Sequence, residues 1–160
     1  MSQTTTHAGH AKLLEELDAA NLVYTVIPHR PTFTAVEEAQ ALGVPASTVA
    51  KTIVLTTSEG FVRAVLPASE RLDLHKVREL LASHDVELAT EQQLAGAYPA
   101  FDLGAVPPLG GGEDAVLLDR RLGKSESVLV EAGVHNVSVR LKTNDLAAHT
   151  HARVVDLCSD

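Results

Sequence analysis

Tryptophan is absent from this 160-residue chain, which has only three phenylalanines and two tyrosines. Aromatic residues make up 3% of the sequence and hydrophobic residues 45%. The interior must therefore be aliphatic, and recognition of single-stranded nucleic acid by successive stacking on aromatic rings is disfavoured. Cysteine is nearly absent too. The lone Cys158 lies near the C-terminus, so no internal disulfide can form, and no Cys-x-x-Cys pair is present. No apolar run approaches the roughly 20 residues that cross a bilayer, and no basic start precedes a secretory apolar segment. Basic charge is scarce: 13 Lys and Arg stand against 21 Asp and Glu, a net charge of −8. Such a field grips a long phosphate backbone poorly, so general nucleic-acid binding is disfavoured. An enzyme touching only the end of an RNA needs just one or two placed cations. These absences point to a soluble, cytoplasmic protein with no membrane or DNA partner.

With no linker, repeat or low-complexity segment, the expectation is a single domain over residues 1–160, with 1–9 polar and flexible. Leu13, Leu14, Leu17 and Ala20 share a helical face. A strand is expected over 22–27, ended by Pro28. Thr34 with Glu37 is a capping-box pattern for a helix that stops at Gly43. Strands at 52–57 and 61–66, joined by Ser58-Glu59-Gly60, form a hairpin pattern. Leu74, Val77, Leu80 and Leu81 mark another helix, and Thr90 with Gln93 opens a further one. Strands follow at 115–118, 127–130 and 136–141. Thr143 is placed to cap a last short helix, and 153–157 closes the chain as a strand. In the 136–141 strand, Val137, Val139 and Leu141 face one way, while Ser138, Arg140 and Lys142 face the other. Helices and hairpins mix without regular βαβ alternation. The fold class is α/β in the α+β sense, a mixed, mostly antiparallel sheet surrounded by helices.

Three groups of residues could carry chemistry. Lys51 stands at the entrance to an apolar strand, either with its ammonium in water at the sheet end or aimed into a pocket. The loop Gly104-Ala105-Val106-Pro107-Pro108-Leu109-Gly110-Gly111-Gly112 is either an ordinary surface loop or a ligand-facing one. Its glycines allow close backbone approach and its prolines fix the shape, so it could present main-chain N–H groups to an oxyanion. Among the eight histidines, His149 and His151 are spaced i, i+2, and no His-Glu-x-x-His or helical His-x-x-x-His occurs. Scattered surface histidines are favoured over a metal site. Gly123-Lys124-Ser125 lacks the earlier glycine of a phosphate loop, since Leu118 stands there. Neither Ser125 nor Ser127 sits in Gly-x-Ser-x-Gly.

In order along the chain come His29, Thr34-Ala35 with Glu37-Glu38-Ala39, and Lys51-Thr52 entering an apolar strand. Leu66-Pro67, Arg71-Leu72-Asp73-Leu74 and Lys76 follow. Then come Gly104-x-x-x-Pro108 with Leu109-Gly110, Ala132-Gly133 with His135, and Asp145-Leu146. Over about residues 22–157 this series resembles the YbaK/EbsC (ProX-like) family, related to the editing insertion of bacterial prolyl-tRNA synthetases. The resemblance implies a mixed α/β editing fold that removes a wrong amino acid from tRNA, commonly tRNA for proline carrying alanine or cysteine, without metal or organic cofactor. It implies Lys51 and Gly104 as catalytic residues. Lys51 would help hold the aminoacylated 3′ end, and Gly104 lies in the loop near the scissile ester. His29, Thr34, Pro108, Leu109, Gly110 and His135 are implied to bind substrate. The implied partners are the 3′ end of a mischarged tRNA and prolyl-tRNA synthetase as the enzyme that delivers it. Two other readings stay open: a tRNA- or synthetase-binding module without catalysis, and a metal-dependent hydrolase using the histidines.

Overall fold

Ser58 and Glu59 make a two-residue connection that sets the register of the central hairpin. Strands β2 (Ala50–Thr57) and β3 (Gly60–Pro67) pair antiparallel, from Thr57 opposite Gly60 to Ala50 opposite Pro67. Gly60, at φ 115°, supplies the backbone conformation this turn needs. The protein is seen in a computed structural model that describes residues 3–160, with side chains from residue 10 onward. The flexible stretch expected at 1–9 lies outside the described side chains.

β3 is flanked on its other edge by β5 (Ala115–Asp119), and β5 by β8 (Arg153–Val155), both in parallel. The short β4 (Glu87–Leu88), not expected from the sequence, pairs with β2. This five-stranded sheet runs β4-β2-β3-β5-β8. A second, fully antiparallel sheet holds β1 (Tyr24–Pro28), β7 (Val137–Lys142) and β6 (Ser127–Glu131), in the order β1-β7-β6. The fold is thus mixed α+β and mostly antiparallel, with its strands in two sheets. Among the described residues, one isolated β-bridge, Val49–Leu129, joins them.

Among the described residues, five α-helices surround the sheets: α1 (Gln3–Ala19), α2 (Ala35–Leu42), α3 (Leu74–Leu81), α4 (Glu91–Ala97) and α5 (Thr143–Thr150). Thr34 caps α2 by accepting from the Glu37 amide, and Gly43 ends it in the left-handed region. The Glu37 carboxylate accepts from the Phe33 amide, one residue before the position a capping box uses. Thr90 and Gln93 complete a full capping box on α4. Thr143 differs from expectation: Lys142 is the cap position of α5, and the Thr143 hydroxyl donates instead to the Ser125 carbonyl. It thereby ties α5 to the turn before β6.

The main core lies between the sheets. Val65, Val116 and Leu118 meet Val128, Val130, Val139 and Leu141, and Leu13 and Leu17 of α1 close one end. Each such fully buried aliphatic side chain contributes roughly 1.5–3 kcal/mol before chain entropy is counted. The alternation of β7 holds with one exception. Val137, Val139 and Leu141 are buried, Arg140 and Lys142 are exposed, but Ser138 on their face is 0% exposed. α2 covers it. Among the described residues, no helix is long and apolar enough to cross a membrane.

Candidate active site

Lys51 is the second residue of β2, where the sheet meets the loop that precedes α3. Its Nζ donates to the Glu70 carbonyl at 2.5 Å, and its stem is half-buried. Burial is the main cause that draws its pKa below the ordinary lysine value. The side chain lines a cavity of about 130 Å³ with Ala35, Ala50, Thr52, Ile53, Gly104, Val106 and Glu131. The fold therefore brings Lys51 and Gly104, 53 positions apart in sequence, to one small, partly apolar chamber.

Gly104 has φ 81° and is a central residue of a tight turn in which the Ala105 amide donates to the Asp102 carbonyl. A Cβ placed on it would stand 3.6 Å from Cε1 of His135. His135 thus borders the chamber at Gly104, with its ring 4.8 Å from that of Phe33. Phe33 is 67% exposed, an open aromatic face at the chamber's rim. Thr34, the next residue, uses its hydroxyl as the cap of α2 and stands beside the lining residue Ala35.

Behind the chamber is a buried polar chain. His29 Nδ1 lies 2.6 Å from the Arg30 carbonyl, and Nε2 lies 2.8 Å from Ser138 Oγ. The Ser138 hydroxyl donates to Glu38 Oε2 at 2.5 Å. Glu38 and Ser138 are both 0% exposed. Burial pushes the Glu38 carboxyl up to about 7, against the lowering effect of the Ser138 hydrogen bond. Glu131 is raised further, to about 9, by burial and then by the charges of Glu38 and Asp102. His29 is thus linked through Ser138 to Glu38, whose charge is felt by the lining residue Glu131. Histidine, serine and carboxylate occur together here, but the serine is sealed in the middle of the chain and cannot attack a substrate.

The other half of the glycine loop goes elsewhere. Pro108, Leu109 and Gly110 line a separate cavity of about 350 Å³ with Glu16, Arg63, His149 and His151. Leu109 packs into the main core. The Arg63 guanidinium donates to the carbonyls of Pro107 at 2.8 Å and Gly110 at 2.5 Å, and pairs with Asp114 at 2.9 Å. The structure therefore brings Lys51, Gly104 and His135 together, sets Thr34 at the rim and His29 behind the wall, and does not bring Pro108, Leu109 and Gly110 into the same chamber. His149 pairs with Glu16 at 2.8 Å. Among the described residues, no three His, Cys, Asp or Glu side chains are grouped to hold a metal.

A family model for the aminoacyl-tRNA editing domain matches residues 29–148, three quarters of the chain, from His29 into α5. The chain belongs to the aminoacyl-tRNA editing domain family. This editing domain is also similar to a solved structure described as a candidate trans-editing enzyme for prolyl tRNA synthetase. The TM-score is 0.85 and the identity 26%, covering 95% of this chain and 98% of the other. A second solved structure, of a hypothetical protein, gives TM-score 0.85 and 26% identity over 92% and 99%. No match is found among curated proteins.

Sequence reasoning missed the carboxyl groups of the editing domain's chamber. Ala35, Glu38, Ala39 and Leu42 hold i, i+3, i+4, i+7 spacing, so Glu38 occupies a core-facing position of α2 and the pattern could have revealed it. Ser138 carried no such signal, since it alternates correctly as an outward residue. Glu131 stands one residue past the expected strand end. Arg63 lay inside an apolar strand as an unremarked charge, and its 1% exposure marks it as a structural pin.

Proposed function

We propose that this editing domain hydrolyses the ester of a mischarged aminoacyl-tRNA in trans, its substrate being tRNA for proline carrying alanine or cysteine. The observation that carries this reading is the meeting of Lys51 and Gly104 in one chamber of about 130 Å³, whose walls include the small or apolar Ala35, Ala50, Ile53 and Val106. A chamber of that size suits a short side chain and works as a sieve against larger ones. The half-buried Lys51 ammonium holds the 3′-terminal nucleotide or the ester carbonyl. The turn at Gly104 offers main-chain N–H donors to the oxyanion that forms on attack. Water, positioned with the help of the neighbouring ribose hydroxyl, adds to the ester carbon and gives up a proton; the ester C–O bond breaks, the leaving ribose oxygen takes a proton, and the free amino acid is released. An aminoacyl ester is already activated, so positioning and oxyanion stabilisation supply most of the acceleration. The open face of Phe33 beside His135 suits stacking of the terminal base.

The test is release of amino acid from tRNA for proline charged with alanine, cysteine or serine, in wild type and Lys51→Ala. Wild type releases one amino acid well above the spontaneous rate, and Lys51→Ala loses on the order of 100-fold in kcat/KM, the scale of one lost charge-assisted contact. Unchanged release in Lys51→Ala at subsaturating substrate would remove Lys51 from the site. Adding prolyl-tRNA synthetase tests delivery: stimulation of release marks it as a partner.

A further inference from the structure

The chamber has a second recognition element besides its cation. Among the described residues that line it, Glu131 is the one carboxyl group and Lys51 the one cation. Oε2 of Glu131 is buried without a hydrogen-bond partner, and so is Oε1 of the wholly buried Glu38, whose charge Glu131 feels. Thr32 Oγ1 and His135 Nδ1 are in the same condition nearby, joined through the hydrogen bond from the Thr32 amide to the His135 carbonyl. An unsatisfied buried polar group costs about 1–3 kcal/mol, and native structures keep few without a reason such as ligand binding. Acceptors concentrated at one cavity call for a ligand that donates hydrogen bonds and carries positive charge.

We propose that Glu131 accepts the α-ammonium group of the aminoacyl ester, with Glu38 and Asp102 behind it strengthening the negative field. This rests on the deacylase reading above. An aminoacyl ester differs from peptidyl or other acylated tRNA in carrying a free primary amine beside the scissile carbonyl. Its ammonium has three N–H donors and no acceptor, a fit to unpaired carboxyl oxygens. Lys51 repels that group and attracts the phosphate and carbonyl end, so the two charges orient the substrate in one sense. At rest burial keeps a proton on Glu131. As the ammonium enters, that proton leaves for solvent and an ion pair remains, so the net charge inside the chamber does not change.

The experiment compares two esters of the same tRNA: the amino acid that wild type releases fastest, and its 2-hydroxy acid analogue, in which a hydroxyl of nearly equal size replaces the amine. Wild type is expected to prefer the amino ester in kcat/KM by about 10–100-fold, the scale of a hydrogen-bonded charge. Glu131→Gln, which keeps shape and loses the charge, is expected to remove most of that preference by slowing the amino ester alone. Glu131→Asp should keep part of it. Equal rates on the two esters in wild type would overturn the proposal while leaving the deacylase intact. Equal loss on both esters in Glu131→Gln would also overturn it, by giving Glu131 a structural role. Release of neither ester by wild type would bring down the deacylase reading and this inference with it.

Discussion

Two buried polar clusters lie at opposite ends of one loop, and they are built by opposite rules. At the end near residues 107–114, Arg63 is 1% exposed, yet its guanidinium meets two carbonyls and a bidentate carboxylate, and it lies 4.7 Å over the Tyr98 ring. The Tyr98 hydroxyl donates to the same Asp114 at 2.7 Å. At the Gly104 end, Glu38 and Glu131 each bury an oxygen that has no hydrogen-bond partner. A satisfied cluster specifies shape, whereas an unsatisfied one stores free energy that a ligand can release. The Arg63 end anchors the loop, and hydrogen bonds from the Asp102 amide to the Gly133 carbonyl and from the Ala105 amide to the Asp102 carbonyl hold its Gly104 end in the wall it shares with Glu131.

The largest effect is expected where the satisfied cluster is broken. Arg63→Met leaves Asp114 with no cation and frees two carbonyls, and should lower unfolding free energy by about 3–5 kcal/mol, the range for breaking a buried ion pair. Equilibrium denaturation in urea measures it. A loss below about 1 kcal/mol, the level of a surface pair, would erase the proposed contrast between the two ends.

A smaller effect separates the two ends within the loop itself. Gly111 and Gly104 both have positive φ, 76° and 81°. A Cβ on Gly111 would fall 2.6 Å from Phe101 Cε2, so the ring must move, whereas one on Gly104 finds ordinary contact at 3.6 Å. Left-handed backbone alone disfavours alanine by about 1 kcal/mol, and crowding adds about 1 kcal/mol or more at Gly111. Gly111→Ala should therefore destabilise more, by about 2 kcal/mol against about 1 for Gly104→Ala. Deacylation should show the reverse order, because Gly104 faces the chamber. Thermal denaturation alongside release kinetics for both variants checks the crossing. Parallel losses in both measurements would mean that the loop acts as one unit.

The parts of this contrast that local chemistry controls were legible in the sequence. Thr34, Gly43, Thr90 and the Ser58-Glu59 turn act within four residues of themselves, and each ends or begins the element expected of it. Lys51 and Gly104 were recognisable through the family resemblance, and their meeting rests on β2 running past the turn at Gly104. The division of the glycine loop was not legible. Gly104 and Pro108 are four residues apart and look like one motif, yet Arg63, more than 40 positions earlier, pulls the second half toward another cavity. Ser138 was hidden for a similar reason: alternation assigns it to the outer face of β7, and only the packing of α2 makes that face an interior. Sequence periodicity reports which side of an element a residue occupies. What covers that side is decided by partners distant in the chain.

The smallest effect tests the unsatisfied end and has the opposite sign. Glu131 has its pKa raised from 4.5 to about 9, so between those values the folded protein holds a proton that the unfolded chain has released. By linkage, the Glu131 contribution to stability is fully present below about pH 4.5 and is lost as pH rises toward 9. Glutamine does not titrate. Glu131→Gln should therefore be more stable than wild type, with a gain that grows from pH 5 to pH 8 by at least about 1 kcal/mol, since a tenfold difference in proton affinity between folded and unfolded states is worth about 1.36 kcal/mol. The charged and titratable groups around it are Glu38, Asp102, His29, His135 and Lys51. All five remain in the variant, but Glu131 and Glu38 feel each other's charge, so the difference between the two proteins reports the loss of Glu131 together with the response of Glu38 to it. Urea denaturation at the two pH values measures the difference. A gain in stability that comes with a loss of preference for the amino ester is what an acceptor kept unpaired for its substrate should show. A stability difference that does not change with pH would mean that Glu131 is solvated, and the contrast between the two ends of the loop would fail at its weaker end.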